Sequence, residues 1–136
     1  MNASWISLLL PLAIGTATAQ PAATTRLDYI GTATAPDNSA PVYTESYSEQ
    51  YDANGSLLQI QVRYRDAQGN SIADKQLDYQ RHPHAPAFAF VNHKTGYRET
   101  VTWLDDGRIQ LTHADSPHAT AREKILSVPE PVVADA

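Results

Sequence analysis

The chain has 136 residues, no cysteine and a formal net charge of −5, with 42% hydrophobic and 18% charged residues. That length gives one domain with a single core. The missing cysteines exclude disulfide stapling, thiol catalysis and a lipid-modified cysteine anchor, and the acidic balance makes nucleic acid and anionic membrane surfaces poor partners.

Met1 to Ala19 reads as a cleaved export signal. Ser7 to Ile14 (SLLLPLAI) is a short apolar core that ends in Ala17-Thr18-Ala19, the small-residue pattern before a signal-peptidase cut. The run is shorter than the ~18 residues that span a bilayer, so no permanent membrane span is expected. The protein is therefore expected in the periplasm or secreted. Gln20 to Arg26 reads as a flexible stub, and 27–128 as an antiparallel β domain.

Leu27 to Ala35 opens that domain as a strand. Pro41 to Tyr51 is ambiguous: Tyr43, Tyr47 and Tyr51 would share a face on a helix or on a strand. Its Tyr, Thr and Ser content and the turn that follows favour the strand. Leu57 to Arg65 is the clearest strand, with Leu58, Ile60, Val62 and Tyr64 alternating with Gln59, Gln61, Arg63 and Arg65. Ser71 to Gln80 changes apolar parity between Ile72 and Leu77, which predicts a bulge near Asp74. Ala87 to Asn92 places Phe88 and Phe90 on one face. Tyr97 to Leu104 sets Tyr97, Val101 and Trp103 against Arg98, Thr100 and Thr102. Arg108 to His113 and Arg122 to Val128 complete the set. Pro129 to Ala136 is a proline-rich tail, expected to be the start of a truncated element.

Turn chemistry links these runs. Asp52-Ala53-Asn54-Gly55 predicts a tight hairpin in which Asn-Gly supplies positive φ angles. Asp66 to Asn70, Asn92 to Gly96 and Asp105-Asp106-Gly107 supply further turns. Tyr51-Asp52-x-x-Gly55 is echoed by Tyr64-Arg65-Asp66-x-x-Gly69 and, loosely, by Trp103-x-Asp105-Asp106-Gly107. Strand starts about ten residues apart predict an all-β antiparallel meander of seven or eight strands, either a twisted sheet or a partial barrel.

Tyr43-Thr44-Glu45, Tyr51 to Gly55, Tyr64-Arg65-Asp66, Ile72 to Tyr79 and Thr95 to Glu99 together resemble a family of uncharacterised exported proteins of Gram-negative bacteria. The resemblance covers most of the mature chain. It implies an envelope location and a longer full-length protein, and it carries over no catalytic residue, because the family has no assigned activity.

Candidate chemistry is sparse. His82-Pro83-His84 has the spacing of two metal ligands on a strand, but its prolines make it a loop with no third ligand at fixed spacing. Asp105-Asp106 reads as a turn whose carboxylates bond local amides. Asn54-Gly55-Ser56 matches a glycosylation acceptor and is accounted for by the hairpin. No nucleophile elbow or phosphate loop is present, so no enzyme activity, cofactor or metal is expected. The aromatic residues Tyr64, Phe88, Phe90, Tyr97 and Trp103 are either the core or a concave apolar surface. Such a surface would hold an apolar small molecule, with Arg63, Arg65 or Arg98 at its rim for an anionic head. Tyr43, Tyr47 and Tyr51 with Glu45 and Glu49 offer a sugar-stacking alternative. The expected function is a non-enzymatic binding or structural domain. The rival is a module that pairs with another protein through an exposed sheet edge.

Overall fold

The computed structural model describes residues 24–128 apart from Asn38. The expected export signal, most of the expected stub and the proline-rich tail lie outside the described residues. Within them the chain forms eight strands: β1 (Thr25–Thr34), β2 (Pro41–Tyr51), β3 (Leu57–Asp66), β4 (Ser71–Asp78), β5 (Ala87–Asn92), β6 (Arg98–Trp103), β7 (Ile109–Ala114) and β8 (Arg122–Leu126). They make one antiparallel sheet in the order β1-β2-β3-β4-β5-β6-β7-β8. Pro41–Tyr51 is a strand, and β1 begins two residues before the expected start at Leu27.

Every contact between elements joins consecutive strands. β1 therefore never meets β8. Of the two expected forms, the sheet takes the open one and is not closed into a barrel. No helix occurs among the described residues, so nothing there is a helix long and apolar enough to cross a membrane.

Register sorts the side chains onto two faces, because directly opposed residues project the same way. One row on the aromatic face runs Ile60, Leu77, Phe88, Val101, Leu111. The next carries Tyr29, Tyr47, Val62, Lys75, Phe90 and Glu99. The opposite face is polar, with Gln61, Gln76, Ala89 and Thr100 in one row and Arg63, Asp74, Val91 and Arg98 in the next. No second layer covers either face among the described residues. Only Val62, Ala73 and Ala114 are buried apolar residues, and none of the larger apolar side chains is fully enclosed.

Two local expectations are corrected. Gly55 has φ 83° while Asn54 keeps a negative φ, so the hairpin is not the double-positive Asn-Gly turn. The Gly55 amide donates to the Asp52 carbonyl and the Asp52 amide to the Ser56 carbonyl. That is a three-residue loop ending in a left-handed glycine. The Asp52 carboxylate accepts from the amides of Asn54 and Ser56 at 2.8 Å each, which leaves Asn54 no need of the left-handed region. Asp66 repeats the arrangement with Gln68 and Asn70, so the two aromatic–Asp-x-x-Gly copies share one turn design. The bulge expected near Asp74 lies at Ile72 instead: Tyr64 opposes Ala73 and Arg65 opposes Ser71, so Ile72 is the extra residue. It sits next to the β3–β4 turn, where the strands leave their regular ladder.

Gly96 has a stricter requirement than the other turn glycines. Its φ is 71°, and a Cβ there would lie 2.1 Å from Pro117 Cδ and 2.8 Å from Pro117 N. At Gly55 a Cβ would meet nothing within 4 Å. Gly55→Ala is therefore expected to cost about 1 kcal/mol for the backbone conformation alone. Gly96→Ala should exceed about 3 kcal/mol, because a backbone atom must also move. Urea midpoints of the two variants measure the difference. Val62→Ala, which removes two methyl groups from the best-buried apolar side chain of β3, is expected to cost about 2 kcal/mol in the same assay.

Candidate functional site

The aromatic face gathers most of the residues singled out in the sequence, but not as one cluster. Phe88 lies between Leu77 and Val101, an apolar stretch half open to solvent. Phe90 lies between Lys75 and Glu99, and its ring is 6.2 Å from that of Tyr97. Tyr64 is two strands away, opposed to Glu45 and Ala73, with its ring 6.4 Å from Tyr43. Trp103 is committed to the fold. Its indole Nε1 donates to the Ala85 carbonyl at 2.7 Å and its ring meets His82 at 3.9 Å. Arg81 closes the same corner by donating to the carbonyls of Trp103 and Leu104. Trp103 thus ties the β4–β5 connection down and is not a free ligand surface. Arg98 is on the opposite face, away from these rings.

A second group on the aromatic face belongs to β1 and β2. Tyr29 and Tyr47 stack with centroids 4.7 Å apart and planes 7° from parallel. Three tyrosine hydroxyls there donate to glutamates of the same face: Tyr29 to Glu49 at 2.8 Å, Tyr51 also to Glu49, and Tyr47 to Glu45. Tyr97 and Glu99 repeat the pairing at 3.1 Å. The alternation of Tyr and Glu in β2 made part of this visible, but the arrival of Tyr29 depends on strand pairing.

These carboxylates hold the phenol protons. The hydrogen bond to Glu45 raises the Tyr47 pKa well above the ordinary tyrosine range, reinforced by burial. The hydrogen bond to Glu49 raises Tyr29 and Tyr51. For Tyr97 burial comes first and Glu99 second. Burial also raises Tyr64.

The recesses of the sheet open on the other face. One of about 460 Å³ is lined by Arg63, Asp74, Gln76, Ala89, Val91 and Arg98, among others. A second of about 290 Å³ lies between Arg26, Asp28, Ser46 and Arg63. The small side chains of Ala89 and Val91 in β5 leave this room, whereas rings fill the aromatic face. Sequence reasoning did not find the recess: the alternation placed Arg63 and Arg98 off the aromatic face, but not beside each other.

Among the described residues no group of three His, Asp or Glu side chains converges to hold a metal ion. Asp106 is engaged in its turn, accepting from the Arg108 amide at 3.1 Å and from its guanidinium at 2.7 Å. The guanidinium bond holds the Asp106 carboxyl below the usual range.

No protein-family model matches the chain, and no match to it is found among curated proteins or solved structures.

The tyrosine–glutamate pairs give a pH dependence. A raised phenol pKa in the fold stabilises it at neutral pH, where the phenol is protonated in both states. That contribution is lost as pH climbs from 10.0, the unfolded value, through the higher folded one. Stability against urea is expected to fall above pH 10 with tyrosinate absorbance rising late. Tyr47→Phe should shrink that alkaline loss.

Proposed function

We propose that this protein is a non-enzymatic binding domain of the bacterial cell envelope, working through the aromatic face of its sheet. The observation that carries the reading is the uncovered apolar row around Phe88 and Phe90. Domains bury such a face against a second layer, and here, with no second layer among the described residues, Leu77, Phe88, Val101 and Leu111 stay partly exposed. An apolar molecule laid on this row removes it from water at about 25 cal/mol per Å², so roughly 200 Å² of cover stabilises the complex by about 5 kcal/mol before ordering costs. The exported location rests on the apolar leader and on the resemblance to exported proteins. Of the residues proposed for contact, Phe88, Phe90, Tyr97 and Tyr64 remain, while Trp103 positions the neighbouring loop.

The edge-pairing reading is favoured by a separate observation. Among the described residues β1 is a ten-residue edge strand with Leu27 51% and Ile30 70% exposed, no proline, and charge only at Arg26 and Asp28, which pair with each other. Sheet edges open to solvent are ordinarily blunted by charge, proline or shortness. β8 at the far edge is blunted that way, with five residues that include Arg122, Glu123 and Lys124.

Titration of the purified protein with a neutral apolar dye such as Nile red tests the first reading. Blue-shifted emission is expected, weakened at least tenfold by Phe88→Thr with Phe90→Thr. Unchanged binding in that double variant overturns it. Native mass spectrometry of protein from its host separates the readings: a retained small molecule supports the first, a second polypeptide the edge.

A further inference from the structure

Five of the seven arginines have a fixed partner. Arg26 binds Asp28, Arg108 binds Asp106, Arg122 is paired with Asp115, and Arg81 and Arg65 donate to main-chain carbonyls. Arg63 and Arg98 have neither a hydrogen bond nor an ion pair among the described residues. Both line the recess of about 460 Å³, on the face opposite the aromatic row.

Register explains why they share it. Arg63, Asp74, Val91 and Arg98 occupy one cross-strand row over β3 to β6. At the usual spacing of strands the two arginines start roughly 14 Å apart, on opposite walls of the recess. Between them lie Asp74 on β4 and, on β5, Ala89 and Val91, which are short and apolar. Asp74 is the only acid in the lining, and its carboxylate is taken by His93 Nε2 at 2.8 Å. In a chain of net charge −5 the recess is therefore a locally cationic hollow with unspent guanidinium donors.

We propose that this recess binds a small amphipathic anion, its charged head held by Arg63 and Arg98 and its apolar part resting on Ala89 and Val91. The overall acidity of the chain repels extended polyanions, and the volume limits the occupant to a small molecule. The site is separate from the one in the aromatic-face reading, since Arg63 and Arg98 project from the opposite face of the sheet.

Titration with octanoate, 1-octanol and acetate, followed on the arginine Nε–Hε resonances, tests it. Octanoate is expected to shift the Arg63 and Arg98 signals and to bind at least tenfold more tightly than 1-octanol or acetate. Added salt should weaken the two carboxylates and leave 1-octanol unweakened. R63Q combined with R98Q, both on the sheet surface, should cost at least tenfold while leaving the urea midpoint unchanged. Equal binding of octanoate and 1-octanol, no octanoate binding at millimolar concentration, or full binding by the double variant each overturns the proposal. Shifts confined to the Phe88 and Phe90 rings also overturn it and support the aromatic-face reading instead.

Discussion

The hydrogen-bonded ladder between neighbouring strands is what this structure depends on. With one layer and no partner layer among the described residues, each strand is held only by those before and after it. Burial is correspondingly slight: Val62 and Ala73 lie near the middle, where β3 and β4 are flanked on both sides. Stability of this kind approximates a sum of neighbour terms, as in repeat proteins. The outer strands, each with one neighbour, are held least, which is why the exposed flank of β1 and the charged flank of β8 differ so much in consequence.

The strands were readable because one-layer sheets write their two faces plainly into the sequence. Leu58 to Tyr64 alternates without exception, and Tyr97 to Trp103 sorts its residues as the register later does. Turn positions were equally clear from Asp, Asn and Gly. What the pattern could not carry is which residues from different strands meet. The stacking of Tyr29 on Tyr47 and the shared recess of Arg63 and Arg98 both follow from register, which no local signal encodes. The same limit moved the bulge to Ile72: parity shows that a slip exists, and the turn geometry decides where. The contact of Trp103 with His82 and Ala85 was hidden as well, because the loop that reaches it has no periodicity to announce its path.

The tyrosine–glutamate pairs reconcile two demands on an uncovered face. Glutamates on β2 keep that end of the sheet soluble, while the rings beside them give the strands lateral contact. Bonded to each other, hydroxyl and carboxylate satisfy one another within the surface. The pairs concentrate on β1 and β2, and the apolar row around Phe88 carries none, so the face divides into a polar-edged half and a greasy half. The two arginines on the reverse side break the same habit of internal pairing, and that exception is what marks their recess.

Because strand order in the sheet equals strand order in the chain, no segment has to wait for a distant one. Each hairpin closes over a short loop, and the sequence separation of contacting residues stays small for an all-β protein. Low contact order of this sort speeds folding. A polypeptide delivered end first can zip up strand by strand in the order it arrives.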